Sequence, residues 1–178
     1  MKRRLFLGLL TLAQSSVLFA HSPWGQYQVY RQKHLLILSS RDDAPSYPYS
    51  KKLVEALAVT VPSANARPAR AKDLNRVYNL LRTNQFQFAI LSKPHISDLR
   101  SATGQFAGGE KLDILTIYEF DDLEFVVRAD FPEDLVSVVT HGVMEALPTL
   151  SGASGIEGVK NNPRLHPGAL KVLKAALE

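Results

Sequence analysis

Short apolar runs alternate along this chain with segments of helical period, and a strand that is apolar at every residue must be covered on both faces. Leu35-Leu36-Ile37-Leu38 is one such run, and Phe86-Gln87-Phe88-Ala89-Ile90-Leu91 is a second. Between them, Leu53, Val54, Ala56 and Leu57 share one face of a helix expected over Tyr49 to Val59, which Pro62 closes. Leu74, Val77, Tyr78 and Leu81 recur at helical spacing after Asp73. A short strand at Asn65 to Ala69 belongs at a sheet edge, because Pro68 lacks the N–H that a central strand needs.

Ser92-Lys93-Pro94 opens another helix, running through Leu99, and Gly104 to Gly109 reads as loop. Leu112 to Phe120 and Leu123 to Arg128 read as adjacent strands split by Asp121-Asp122. Asp130-Phe131-Pro132-Glu133 is expected to cap a helix carrying Val136, Val139, Val143 and Leu147. Ser151 to Asn162 is Gly- and Ser-rich and is expected to be mobile, and Pro167 to Leu177 forms a closing helix. Together these elements predict a single α/β domain over residues 33–178, a three-layer arrangement with a mixed sheet flanked by helices.

The start of the chain has a different character. Lys2, Arg3 and Arg4 precede an apolar stretch from Leu5 to Leu12, and Ala20 supplies a small residue for cleavage, so residues 1–20 are expected to be a signal peptide. Arg3-Arg4-Leu5-Phe6-Leu7 also resembles a twin-arginine signal, which leaves the ordinary secretory and twin-arginine routes both open. Either route implies a periplasmic protein. The whole chain carries 21 Lys+Arg and 17 Asp+Glu, and three of the basic residues lie in the leader, so cleavage would leave 18 against 17. No basic face for nucleic acid is implied, and no stable membrane insertion is expected after cleavage. The absence of cysteine excludes disulfides, thiolate catalysis and Fe–S ligation, so the folded chain relies on its apolar core. Residues 21–32 form an N-terminal arm rich in aromatics, with Trp24, Tyr27 and Tyr30, suited either to packing on the domain or to docking a partner.

The candidate site is the turn after the first strand. In open α/β sheets ligands sit beyond the carboxyl ends of strands, where helix N-termini present free N–H groups. Ser39, Ser40 and Tyr47 could donate to a carboxylate there, Arg41 could pair with it, and Ser92 and Lys93 would converge from the next strand end. Asp42 and Asp43 work against an anion, and the same Ser, Asp and Pro residues also make ordinary turns and caps. Asp42-Asp43 and Asp121-Asp122 with Glu124 are carboxylate clusters without the spacing of an EF-hand. No His pair has H-E-x-x-H spacing, and no nucleophile elbow, phosphate loop or dinucleotide fingerprint is present, so neither catalysis nor a cofactor is expected.

Several segments, in order, resemble the TAXI family of solute-binding proteins, the periplasmic receptors of one class of tripartite ATP-independent (TRAP) transporters. Leu165-His166-Pro167-Gly168-Ala169-Leu170 is similar to the family's C-terminal His-Pro-Gly-Ala signature. Phe88-Ala89-Ile90-Leu91-Ser92 resembles its "FAIVQS" strand, and Phe106 to Gly109 its Gly-containing loop. Glu124-Phe125-Val126-Val127-Arg128-Ala129-Asp130 resembles the entry to the first hinge. Pro132-Glu133-Asp134-Leu135-Val136 with Thr140 and Leu147 resembles a late helix. Family members are substantially longer and fold into two lobes around a ligand cleft. Here Arg128-Ala129-Asp130 runs almost directly into the late helix, so the resemblance spans one lobe, about residues 33–177. The family's opening Gly-rich loop is replaced by Ser39 to Tyr47. The resemblance implies a structural role for His166, at the entry of the last helix.

The resulting expectation is an exported, non-catalytic binding protein of solute-receptor type, taking a small carboxylate-bearing solute. The alternative is a periplasmic accessory subunit that binds a protein partner, either an exported redox enzyme or a transporter subunit.

Overall fold

In the computed structural model, residues 33–178 are described, and the leader at 1–20 and the arm with Trp24, Tyr27 and Tyr30 lie outside the described residues. The strands are β1 (Leu36–Ser40), β2 (Arg67–Ala71), β3 (Phe88–Ser92), β4 (Ile114–Phe120) and β5 (Leu123–Arg128). The helices are α1 (Ser46–Thr60), α2 (Leu74–Arg82), α3 (Lys93–Ser101), α4 (Glu133–Ala146), α5 (Ile156–Lys160) and α6 (Pro167–Ala175). Among the described residues the strands form one mixed sheet in the order β2-β1-β3-β5-β4. β1 lies parallel to both β2 and β3, whereas β5 runs antiparallel to β3 and to β4.

Alternation along each strand sends side chains into two cores, one on each face of the sheet. Ile37, Phe88, Ile90, Phe125 and Val127 enter a core covered by α1, α4, α5 and α6. Leu38, Ala89, Leu91 and Val126 enter the other, covered by α2 and α3. This is the three-layer α/β domain expected from the sequence, and the continuous apolar runs are its central strands. Leu53 and Leu57 of α1 and Leu81 of α2 are 0% exposed, a burial that stabilises by about 1.5–3 kcal/mol per side chain.

β2 is an edge strand, and Pro68 sits there without cost. Arg67 N–H donates to Leu35 O (2.9 Å) toward β1, so the next residue's missing donor faces outward. The Asp121-Asp122 turn separates β4 from β5 as expected, with Asp121 at φ 45°.

One expectation differs from the structure, and one segment carries more structure than its composition announces. Asp130 does not cap α4; it takes a bidentate contact from Arg128 (2.9 and 2.7 Å), and the N-cap position is Pro132. An Arg two residues away offers two charge-assisted bonds, which outcompete a single backbone N–H. The Gly- and Ser-rich stretch 151–162, expected to be mobile, carries α5 and lies along the outer edge of β4. Asp121 N–H bonds Gly152 O (2.6 Å), Ser154 N–H bonds Glu119 O (3.0 Å) and Thr116 N–H bonds Arg164 O (2.7 Å). The segment thereby satisfies the backbone of an otherwise open edge.

Candidate functional site

Because β1 connects outward to β2 through α1, while β3 starts the path toward the other edge, the chain reverses direction between β1 and β3. The crevice beyond their carboxyl ends is where this class of sheet places ligands. Ser39 and Ser40 end β1 there with Arg41 following, and Ser92 ends β3 beside them, joined to Asp43.

The two strand ends are joined by the chain's own carboxylate. Asp43, only 3% exposed, accepts from Ser92 N–H at 2.8 Å and from Ser92 Oγ at 2.5 Å. Ser92 is the N-cap of α3 and makes no cap bond of its own. Asp43 thus delivers a negative charge to a helix N-terminus, where it is electrostatically favoured. Asp42 does the same more weakly for α2, accepting Leu74 N–H at 3.3 Å.

The serines serve the turn in the same way. Ser39 and Ser40 are both 0% exposed. Ser39 Oγ donates to Ala69 O (2.9 Å), and Ser40 Oγ accepts from Asp42 N–H (3.2 Å). Ser40 N–H in turn donates to Ser46 Oγ, whose hydroxyl lies 2.8 Å from Asp43 O. A buried hydroxyl must find a partner, and here each partner is backbone, of the turn itself for Ser40 and Ser46 and of the neighbouring strand β2 for Ser39.

Arg41 and Tyr47 stand at the rim. Arg41 N–H bonds Ala71 O (3.1 Å) and its side chain is exposed. Tyr47, half-buried in the first turn of α1, has the Arg70 guanidinium 4.7 Å and the Lys51 ammonium 5.3 Å from its ring centre. Lys93 is drawn toward the β4 edge of the sheet, where its ammonium pairs with Glu119 at 2.7 Å.

Glu119 opens a polar network that the sequence reading did not anticipate. Burial pulls its carboxyl upward, but hydrogen bonds from Lys93 and Asn162 outweigh this and hold it below the usual carboxylate range. Asn162 also reaches Thr116 Oγ1 (3.3 Å), which donates to Glu124 Oε1 at 2.5 Å. Glu124 takes a bidentate contact from Arg100 of α3 (3.1 and 2.6 Å), with side-chain exposures of 6% and 13%. The buried Glu124 carboxylate is therefore paired with Arg100 of α3. No three His, Cys, Asp or Glu residues are grouped to hold a metal ion among the described residues. Period-two alternation within Leu123-Glu124-Phe125-Val126 was the available signal. It puts Glu124 on the same face as Val126, where a charge requires a buried partner.

The His166-Pro167-Gly168-Ala169 motif builds the joint between α4 and α6. His166 is the N-cap of α6, its Nδ1 accepting Gly168 N–H at 3.2 Å, and Pro167 occupies the first turn, which needs no donor. A side chain on Gly168 would come 2.3 Å from Glu133 O, so only glycine lets α6 approach the start of α4 this closely. Burial pushes the His166 imidazole below its ordinary pKa, opposed by the Phe131 carbonyl and Glu133.

Compared with known proteins, the chain matches no protein-family model and no curated protein.

Proposed function

We propose that this chain is an exported, non-catalytic binding protein built like one lobe of a TAXI-type solute receptor, and that it recognises a protein rather than a small free carboxylate. The observation that carries the choice is Asp43. Its carboxylate already occupies the N-terminus of α3 and both Ser92 donors, the groups that a carboxylate solute would use. A solute entering there would have to displace a buried anion and meet like charge. The rim offers exposed Arg41, Lys51 and Arg70 around half-buried Tyr47, a surface better suited to a macromolecule than to an enclosed small molecule. Residues 1–20 support export, and the order β2-β1-β3-β5-β4 supports a receptor-like lobe.

Thermal melting separates the two readings. Dicarboxylates and amino acids at millimolar concentration are expected to leave the melting temperature unchanged, because a ligand stabilises only by binding the folded form. A saturable rise with any of these solutes would return the function to solute capture. A single stoichiometric protein partner, isolated from native periplasm and rebuilt from purified components, is the positive outcome.

A further inference from the structure

The domain is electrically neutral, yet its charges are segregated across the sheet. Residues 33–82, which build β1, β2, α1 and α2, hold nine Lys and Arg against four Asp and Glu. Residues 83–178, which supply β3, β5, β4 and the remaining helices, hold eight against thirteen. Since β2 and β4 are the two ends of the sheet, the β2 side is a basic pole and the β4 side an acidic one.

The ion pairs sharpen this contrast. Of the basic residues on the β2 side, only Lys72 and Arg82 form an ion pair among the described residues. Residues 1–32 contain no Asp or Glu, so they supply no carboxylate partner either. Arg70 and Lys51 are instead held against the Tyr47 ring at 4.7 and 5.3 Å. A guanidinium stacked on an aromatic face keeps its N–H fork free and already oriented for a carboxylate. Arg70 also lies on β2, whose outer edge has no neighbouring strand among the described residues. Basic residues and a proline are common protection for such an edge, but protection does not require two cations fixed on one ring. The exposed carboxylates nearest in sequence are Glu55, four residues after Lys51 and in no ion pair among the described residues, and Asp42, whose Oδ2 is engaged with the start of α2.

We infer that the β2 edge, with Arg70, Lys51 and Tyr47 at its centre and Arg41 and Arg67 flanking, is a docking surface for an acidic segment of a partner protein. This rests on the protein-partner reading and names the chemistry of that partner. The domain's neutrality disfavours a long polyanion, which needs an extended positive field, whereas two or three carboxylates match a local cluster.

The test uses the full chain and a fluorescent Glu-Val repeat peptide of ten residues, read by anisotropy, beside its Gln-Val counterpart. Binding of the Glu peptide alone, weakening as salt rises, is expected, with affinity falling about tenfold in Arg70→Gln/Lys51→Gln. Lys174→Gln on α6 serves as the control and should bind as the parent does. Both substituted positions are exposed, and an unchanged melting temperature verifies that they fold. Equal binding by the double variant, equal binding of the Gln peptide, or preferential binding of phosphatidylglycerol vesicles lost with the same substitutions would each overturn the inference. A native partner retained by the double variant would leave the protein-binding function standing and overturn this surface alone.

Discussion

Asp43→Ala is the most direct test of how the two strand ends are held together. The substitution removes a carboxylate that is 3% exposed and accepts both Ser92 N–H and Ser92 Oγ. A hydrogen bond to a charged group contributes about 1.5–3 kcal/mol net, and losing a helix N-cap costs about 0.5–2 kcal/mol. These overlap, because one of the two bonds is the cap of α3, and the freed Ser92 hydroxyl can turn elsewhere. The expected loss is about 2–4 kcal/mol, equivalent to a fall of about 5–12 °C in melting temperature for a domain of this size. Urea unfolding followed by far-ultraviolet circular dichroism would measure it, with the midpoint falling at unchanged slope. Asp43→Asn keeps one oxygen for Ser92 N–H and should lose about half as much. A loss below about 0.5 kcal/mol for the alanine variant would refute the reasoning, because the junction would then be held by packing alone.

Below about pH 6.5, stability should fall as the unfolded chain takes up a proton that buried His166 resists. The contribution is fully present above that pH and shrinks as pH drops toward the depressed folded value; His166→Asn should flatten this part of the stability–pH curve. Gly168→Ala sets a methyl 2.3 Å from Glu133 O, which is backbone and cannot rotate away, so α6 must shift; a cost of about 1–3 kcal/mol is expected by urea unfolding. Arg100→Met leaves Glu124 buried without its cation and should cost about 3–5 kcal/mol, whereas Arg100→Met with Glu124→Leu should recover much of that loss in a double-mutant cycle.

Much of the architecture was legible because it is local. The runs at Leu35 to Leu38 and Phe86 to Leu91 announce strands covered on both faces, and Pro68 marks an edge, since each signal depends on neighbouring residues only. Asp73, noted only as standing before the helical repeat, caps α2 through Arg76 N–H (2.6 Å). Asp130 misled because Arg128, on the preceding strand, competes for it at 2.9 and 2.7 Å. The helix and edge contacts of 151–162 were not legible, because Gly- and Ser-rich composition says nothing of a strand edge waiting for partners.

The sequence by itself therefore determined most of the elements, their two-sided burial and the α/β class, through periodicity and turn chemistry that act over a few residues. Only the tertiary structure decided what the candidate residues do. Asp43 and Ser92 are 49 positions apart, and Arg100 and Glu124 are 24 apart. Their pairing depends on which strands lie side by side and in what register. That arrangement comes from burying two apolar faces at once, and it turned a turn that looks ready for an anion into one that carries its own.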